Sequence, residues 1–196
     1  METEKPKSSQ PIPDHAEKVF EGKMFDVYQW KQEMYDGSTK IFEKAQRPDT
    51  TDVIAFTEEG KIIVLDQEQP GKERFFSLPG GRIEEGEDPM DSARRELTEE
   101  TGYECGEIEL WHSSQPVGKL EWAMYFFVAR NCKKIAQQNL DGGEKIKVML
   151  VSVDEFLDMI FSQKMKASEI ILKILKENLL VLDKEETYNK VRNHFK

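Results

Sequence analysis

Gly81-Arg82-Ile83-Glu84-Glu85-Gly86-Glu87, followed by Asp88-Pro89-Met90-Asp91-Ser92-Ala93-Arg94-Arg95-Glu96-Leu97-Thr98-Glu99-Glu100-Thr101-Gly102-Tyr103, decides how this chain is read. It divides into a glycine-bearing loop and a punctuated helix. Asp88 suits an N-cap, Pro89 the first helical position and Gly102 the residue past the end. Helical periodicity puts Glu96, Glu99 and Glu100 on one face, with Met90, Ala93 and Leu97 on an adjoining apolar face.

Three carboxylates on one helical face repel one another, at about 0.2–0.5 kcal/mol per pair on an exposed helix and more when buried. A hard divalent cation offsets that repulsion, and Mg²⁺ or Mn²⁺ prefers carboxylate oxygens. Glu87, just before the helix, reaches towards the same place. Arg95 beside Glu96 is either an orienter of the carboxylates or a surface ion pair. Glycines at 80, 81 and 86 let the loop turn sharply and bring its backbone close to a ligand.

Strand signals surround this segment. Phe25 to Lys31 and Lys40 to Lys44 flank Asp36-Gly37, a hairpin signature. Val53 to Phe56 and Ile62 to Leu65 flank Glu58-Glu59-Gly60, and Phe75 to Leu78 leads into Pro79-Gly80-Gly81. Further strands are expected at Ile108 to Ser113, Ala123 to Ala129 and Ile146 to Val151. Helices are expected at Asp154 to Phe161 and Ser168 to Leu182, with a weaker one at Lys184 to His194. The fold class is therefore α/β or α+β, with no internal repeat.

The chain has 196 residues, 38% of them hydrophobic and 10% aromatic, enough for one sizeable core. Its net charge of −10 repels nucleic-acid backbones, so no nucleic-acid partner is expected. No stretch is long and apolar enough for a membrane span, and no secretory signal is visible at the N-terminus. Two cysteines, Cys105 and Cys132, make no disulfide framework, and a reducing cytoplasm is the expected compartment. Pro6, Ser8, Ser9, Gln10, Pro11 and Pro13 make residues 1–16 read as a flexible tail.

Gly81, five residues, Glu87, seven residues, Arg95-Glu96-Leu97, Thr98, Glu99-Glu100, Thr101 and Gly102 resemble the Nudix box. Tyr103 stands where that family usually has an aliphatic residue. Leu78-Pro79-Gly80-Gly81, Gly143-Glu144-Lys145-Ile146 and Val151 to Phe156 extend the resemblance over residues 18 to 165, towards the ADP-ribose pyrophosphatase branch. The last thirty residues or so match nothing recognisable. The expected division is a tail at 1–16, a Nudix domain at 17–165 and a helical extension at 166–196.

The resemblance implies an α/β/α sandwich with a mixed sheet, an N-terminal hairpin extension and C-terminal helices. It implies Mg²⁺ or Mn²⁺ held by Glu96 and Glu100, with Glu99, Glu87 and the Gly80 carbonyl as further ligands. The reaction would be attack of water on a diphosphate linking a nucleoside to another group. Glu144 and Glu99 are the two candidates for general base, with Arg95 supporting.

Substrate contacts are expected from Arg47, Arg74, Pro116 and Gly81. The branch's arginine after Glu-Gln is missing here, where Gln67-Glu68-Gln69 runs into Pro70-Gly71-Lys72-Glu73-Arg74. Arg74 or Lys72 has to take its place. Pro116 lies about two residues nearer the box than the branch's marker proline, and Trp111 or Trp122 is either a base-stacking or a core residue. ADP-ribose or a related nucleotide sugar is the leading small-molecule substrate; nucleoside triphosphates, dinucleotides and a non-catalytic nucleotide-binding module are the alternatives. The resemblance also implies a homodimer with Phe25 or Tyr28 near the partner.

Overall fold

The computed structural model describes residues 3–140, 142–143, 145–165 and 167–179. The strands are β1 (Glu17–Glu21), β2 (Asp26–Glu33), β3 (Thr39–Gln46), β4 (Thr50–Thr57), β5 (Ile62–Gln69) and β6 (Lys72–Ser77). They continue as β7 (Gly80–Arg82), β8 (Tyr103–Glu104), β9 (Glu107–Ser114), β10 (Leu120–Glu121), β11 (Met124–Lys134) and β12 (Lys145–Val151). The helices are α1 (Pro89–Thr101), α2 (Val153–Phe161) and α3 (Ser168–Leu179). The mixed α/β class read from the sequence is the one found. The expected helix at Lys184 to His194 lies outside the described residues.

Two units divide at Ser152. In the first, β4 and β11 run parallel, Val53 opposite Phe127 and Ala55 opposite Ala129. Tyr125 to Ala129 is an unbroken buried run, as expected of a parallel strand covered on both faces. Val53, Ala55, Tyr125, Phe127 and Ala129 form a core with Ala93 and Leu97 of α1. This is the apolar helical face expected from the sequence. Val53, Leu97 and Phe127 each contribute roughly 1.5–3 kcal/mol on burial. α1 is thereby seated on the central strand pair with its glutamate face turned aside. In the second unit, Phe156 and Ile160, one turn apart on α2, are buried, as are Met165 and Ile170.

A second sheet runs β1-β2-β3-β10. Its β2–β3 hairpin turns at Gly37, where φ is +78°, and Asp36 accepts hydrogen bonds from the Ser38 amide and hydroxyl. Lys44 of β3 is fully buried. Its ammonium donates to Ser8 Oγ at 2.7 Å, the Gln10 carbonyl at 2.8 Å and Glu121 at 2.7 Å, so all three protons are used. Burial would raise the Glu121 carboxyl, but Lys44 and Gln115 hold it below its usual range. The amino-terminal segment is tied on further by Lys5 to Asp49 and by Gln115 to the Pro6 carbonyl.

Lys44→Met should cost about 3 kcal/mol in urea unfolding, because it strands the Glu121 carboxylate. Adding Glu121→Gln should recover part of that loss.

Candidate active site

α1 begins and ends as its caps dictate. Asp88 accepts from the Met90 amide at 2.8 Å, and Gly102, at φ +73°, returns its amide to the Thr98 carbonyl. Between those ends the helix turns its carboxylates towards a cavity of about 620 Å³. β5, β6 and β7 supply the other walls, with Gln67, Lys72, Phe75, Ser77 and Gly80–Arg82 among the lining residues.

Arg95 organises the acidic groups. Its guanidinium meets Glu87 at 2.9 and 3.0 Å, Glu96 at 2.9 Å and Glu99 at 3.1 Å. Hydrogen bonding to Arg95 pulls the Glu87 carboxyl below its usual range. Glu96 goes the other way: burial raises it despite Arg95, and the charges of Glu99 and Glu87 add to the rise. Glu100 is buried and accepts from the Gly80 amide at 2.8 Å.

The glycines leave room for these oxygens. A Cβ on Gly81 would lie 2.5 Å from Glu96 Oε1, and one on Gly80 only 2.1 Å from the Thr51 carbonyl oxygen. The donors gathered here are all hard oxygens, which suits Mg²⁺ or Mn²⁺. As they stand, paired to Arg95 and to Gly80, no three acidic, histidine or cysteine groups among the described residues are arranged to hold a metal ion.

The other expected residues divide between the cavity and its surroundings. Gly80 and Gly81 line it, as does Lys72, whose ammonium lies over the Phe75 ring. Arg74 is ion-paired to Asp66 instead and is not among the lining residues. Arg47, beside the lining residue Pro48, stacks on Trp122 at 4.8 Å with its Nε buried and unpaired. Pro116 is exposed, and Trp111 packs near His112; neither lines the cavity. Glu144 lies outside the described residues.

Three residues carry more than the sequence suggested. Gln138 donates to the Glu100 carbonyl at 2.6 Å and the Ile146 carbonyl at 3.1 Å, tying the end of α1 to β12. The Asn139 amide adds a bond to the Glu99 carbonyl, at 2.8 Å. Asp52 of β4 lines the cavity, and its carboxylate has no hydrogen-bond or ion-pair partner among the described residues. Burial alone pushes that carboxyl up to about 7. The signal for Asp52 was available: it is a charge set inside a strand, immediately before the apolar run Val53-Ile54-Ala55-Phe56. Gln138 gave none.

The NUDIX domain family matches residues 46–173. This chain belongs to the Nudix family. A curated relative, the ADP-ribose pyrophosphatase of Bacillus subtilis (strain 168), is 31% identical over 76% of this chain and 82% of its own length. The methanol dehydrogenase activator of Bacillus methanolicus is also 31% identical, over 81% of this chain and 88% of its own. A solved structure described as an ADP compounds hydrolase superposes with a TM-score of 0.68, covering 89% of this chain and 96% of that one at 18% identity. That likeness shows a shared Nudix fold. With its box intact from Gly81 to Gly102, the chain is a Nudix pyrophosphatase.

Gly81→Ala should displace the Glu96 carboxylate, lowering turnover about a hundredfold with a small change in unfolding midpoint. Gly80→Ala meets backbone instead, and should cost at least about 2 kcal/mol of stability. Asp52 gives a pH signature. Its folded value is raised above the usual 3.8, so the native state holds this proton more tightly, and stability falls as pH rises from about 4 to about 7. The other charged groups lining the cavity are Lys72, Arg82, Glu84, Glu85, Arg95, Glu96, Glu99 and Glu100. In chelator-containing buffer, Asp52→Asn should be more stable than wild type at pH 8, with the gap closing by pH 4.

Proposed function

We propose that this Nudix pyrophosphatase hydrolyses the diphosphate of ADP-ribose or a related nucleotide sugar with the help of Mg²⁺ or Mn²⁺. The observation that carries the reading is the convergence of Glu96, Glu99 and Glu100 on one cavity wall, with Glu87 tied to them through Arg95 and a glycine gap at Gly81 into which the Glu96 carboxylate fits. Glu96 and Glu100 would be the primary ligands, with Glu99, Glu87 and the Gly80 carbonyl completing the set. When bound, the ion supplies charge neutralisation and an acidified water.

The chain's own groups do the rest. Arg95 ties Glu87, Glu96 and Glu99 together against their mutual repulsion. Lys72 is the cation at the β6 wall, which suits it to the substrate's diphosphate, while Arg74 is engaged by Asp66. Arg47 and Pro116 remain proposed contacts of the nucleoside end. The general base is a choice between Glu99, which faces the cavity, and Glu144. Glu144→Gln distinguishes them: a large loss of rate with metal binding retained assigns the role to Glu144, and an unchanged rate assigns it to Glu99.

The substrate preference follows the relationship to the ADP-ribose pyrophosphatase of Bacillus subtilis. The proposed homodimer is supported by apolar side chains exposed on the N-terminal sheet and its β1–β2 turn, namely Val19, Phe20, Met24, Phe25 and Ile41. The two free thiols suit a reducing cytoplasm. Among the described residues, no helix is long and apolar enough to cross a membrane. The catalytic domain is taken to span 17–165, with 1–16 as an amino-terminal tail and 166–196 as a helical extension.

The test is turnover by purified protein with Mg²⁺ of ADP-ribose, other nucleotide sugars, NADH, dinucleoside polyphosphates and nucleoside triphosphates. ADP-ribose or a nucleotide sugar should be preferred, and no turnover of any of them by folded protein would refute the reading. Glu100→Gln should abolish turnover and leave the unfolding transition intact; near-normal rates would contradict the ligand role.

A further inference from the structure

Asp52 is a cavity-lining carboxylate that the proposed hydrolysis leaves unused. Strand register sets it opposite Gly80, whose amide is taken by Glu100. Both Asp52 oxygens lack a donor among the described residues, yet neither is a sealed, solvent-free atom. The side chain therefore opens to the cavity. A desolvated charge without a partner is costly, and an apolar residue would complete the run of β4 at no such cost. What this position offers is an acceptor directed at whatever occupies the cavity.

Other side chains of the same cavity lining indicate what that is. Gln67 donates its amide to Ser77 Oγ at 2.6 Å, which leaves the Ser77 hydroxyl proton free to be offered elsewhere. Phe75 adds an apolar surface to the same lining. An acceptor, a hydroxyl donor and an aromatic wall match a sugar bearing several hydroxyls. A phosphate oxygen facing Asp52 in its ionised form would be repelled.

We infer that Asp52 is a specificity-determining residue that accepts hydrogen bonds from hydroxyls of the sugar attached to the diphosphate, with Ser77 donating from the same cavity lining. The inference rests on the hydrolase reading above and narrows its substrate to one with a polyhydroxylated group at that end.

The test uses calorimetric titration of the full chain, in Mg²⁺, with ribose 5-phosphate and with methyl phosphate, which lacks the hydroxyls. Asp52→Asn should weaken ribose 5-phosphate at least about tenfold while leaving methyl phosphate within about twofold. Asp52→Ser serves the same purpose if the first variant does not fold. Parallel changes for both ligands, no change for either, or no binding of ribose 5-phosphate by wild type would overturn the assignment. So would a kcat collapse with ribose 5-phosphate binding intact, which would make Asp52 a catalytic group. Failure of the hydrolase reading is separate, because it appears as absent turnover in the wild-type protein.

Discussion

Mutual repulsion among carboxylates is the constraint on which this site is built. Glu96, Glu99 and Glu100 lie within two turns of one helix, and Glu87 approaches from the preceding loop. Arg95 answers three of the four charges with one planar guanidinium, whose fork of donors can serve several carboxylates at once. A lysine at that position would supply the charge without the fork. Glu100, the most buried of the four, relies on the Gly80 amide instead. Glu96 is left short of compensation, as its raised carboxyl indicates. A cation entering here would relieve the group that most needs it.

The scaffold serves that cluster by fixing both partners of each contact. Ala93 and Leu97 seat α1 on the parallel pair β4–β11, while β7 pairs with β4 and carries Gly80 and Gly81 under the carboxylates. At the far end, Gln138 and the Asn139 amide occupy carbonyls of the last helical turn that would otherwise lack partners. One strand, β4, thus supplies core side chains to the helix, backbone pairing to the glycine loop and, at Asp52, a side chain to the cavity.

Local chemistry made much of this readable in advance. The cap at Asp88, the proline at 89 and the left-handed glycine at 102 act within a few residues, and each does what its residue type implies. The Asp36-Gly37 hairpin and the face shared by Met90, Ala93 and Leu97 are legible for the same reason. Contacts between distant segments were not. The hydrogen bonds of Pro6, Ser8 and Gln10 are made to Gln115 and Lys44, which lie 109 and 34–36 residues away. β1 and the short strands β7, β8 and β10 carry too little pattern to announce themselves, and the pairing of β4 with β11 depends on everything between them. Arg74 and Lys72 sit two residues apart in sequence, but only the folded chain reveals that Asp66 claims the arginine and leaves the lysine on the cavity wall.

The central proposal is that Glu96 and Glu100 form a divalent-cation site. Titration with Mn²⁺, following the free ion by electron paramagnetic resonance, tests it without reference to any substrate. Wild type should bind the ion saturably, and the Glu96→Gln/Glu100→Gln double variant, folded to the same unfolding midpoint or higher, should lose at least about tenfold in affinity. Equal binding by the two proteins would contradict the account.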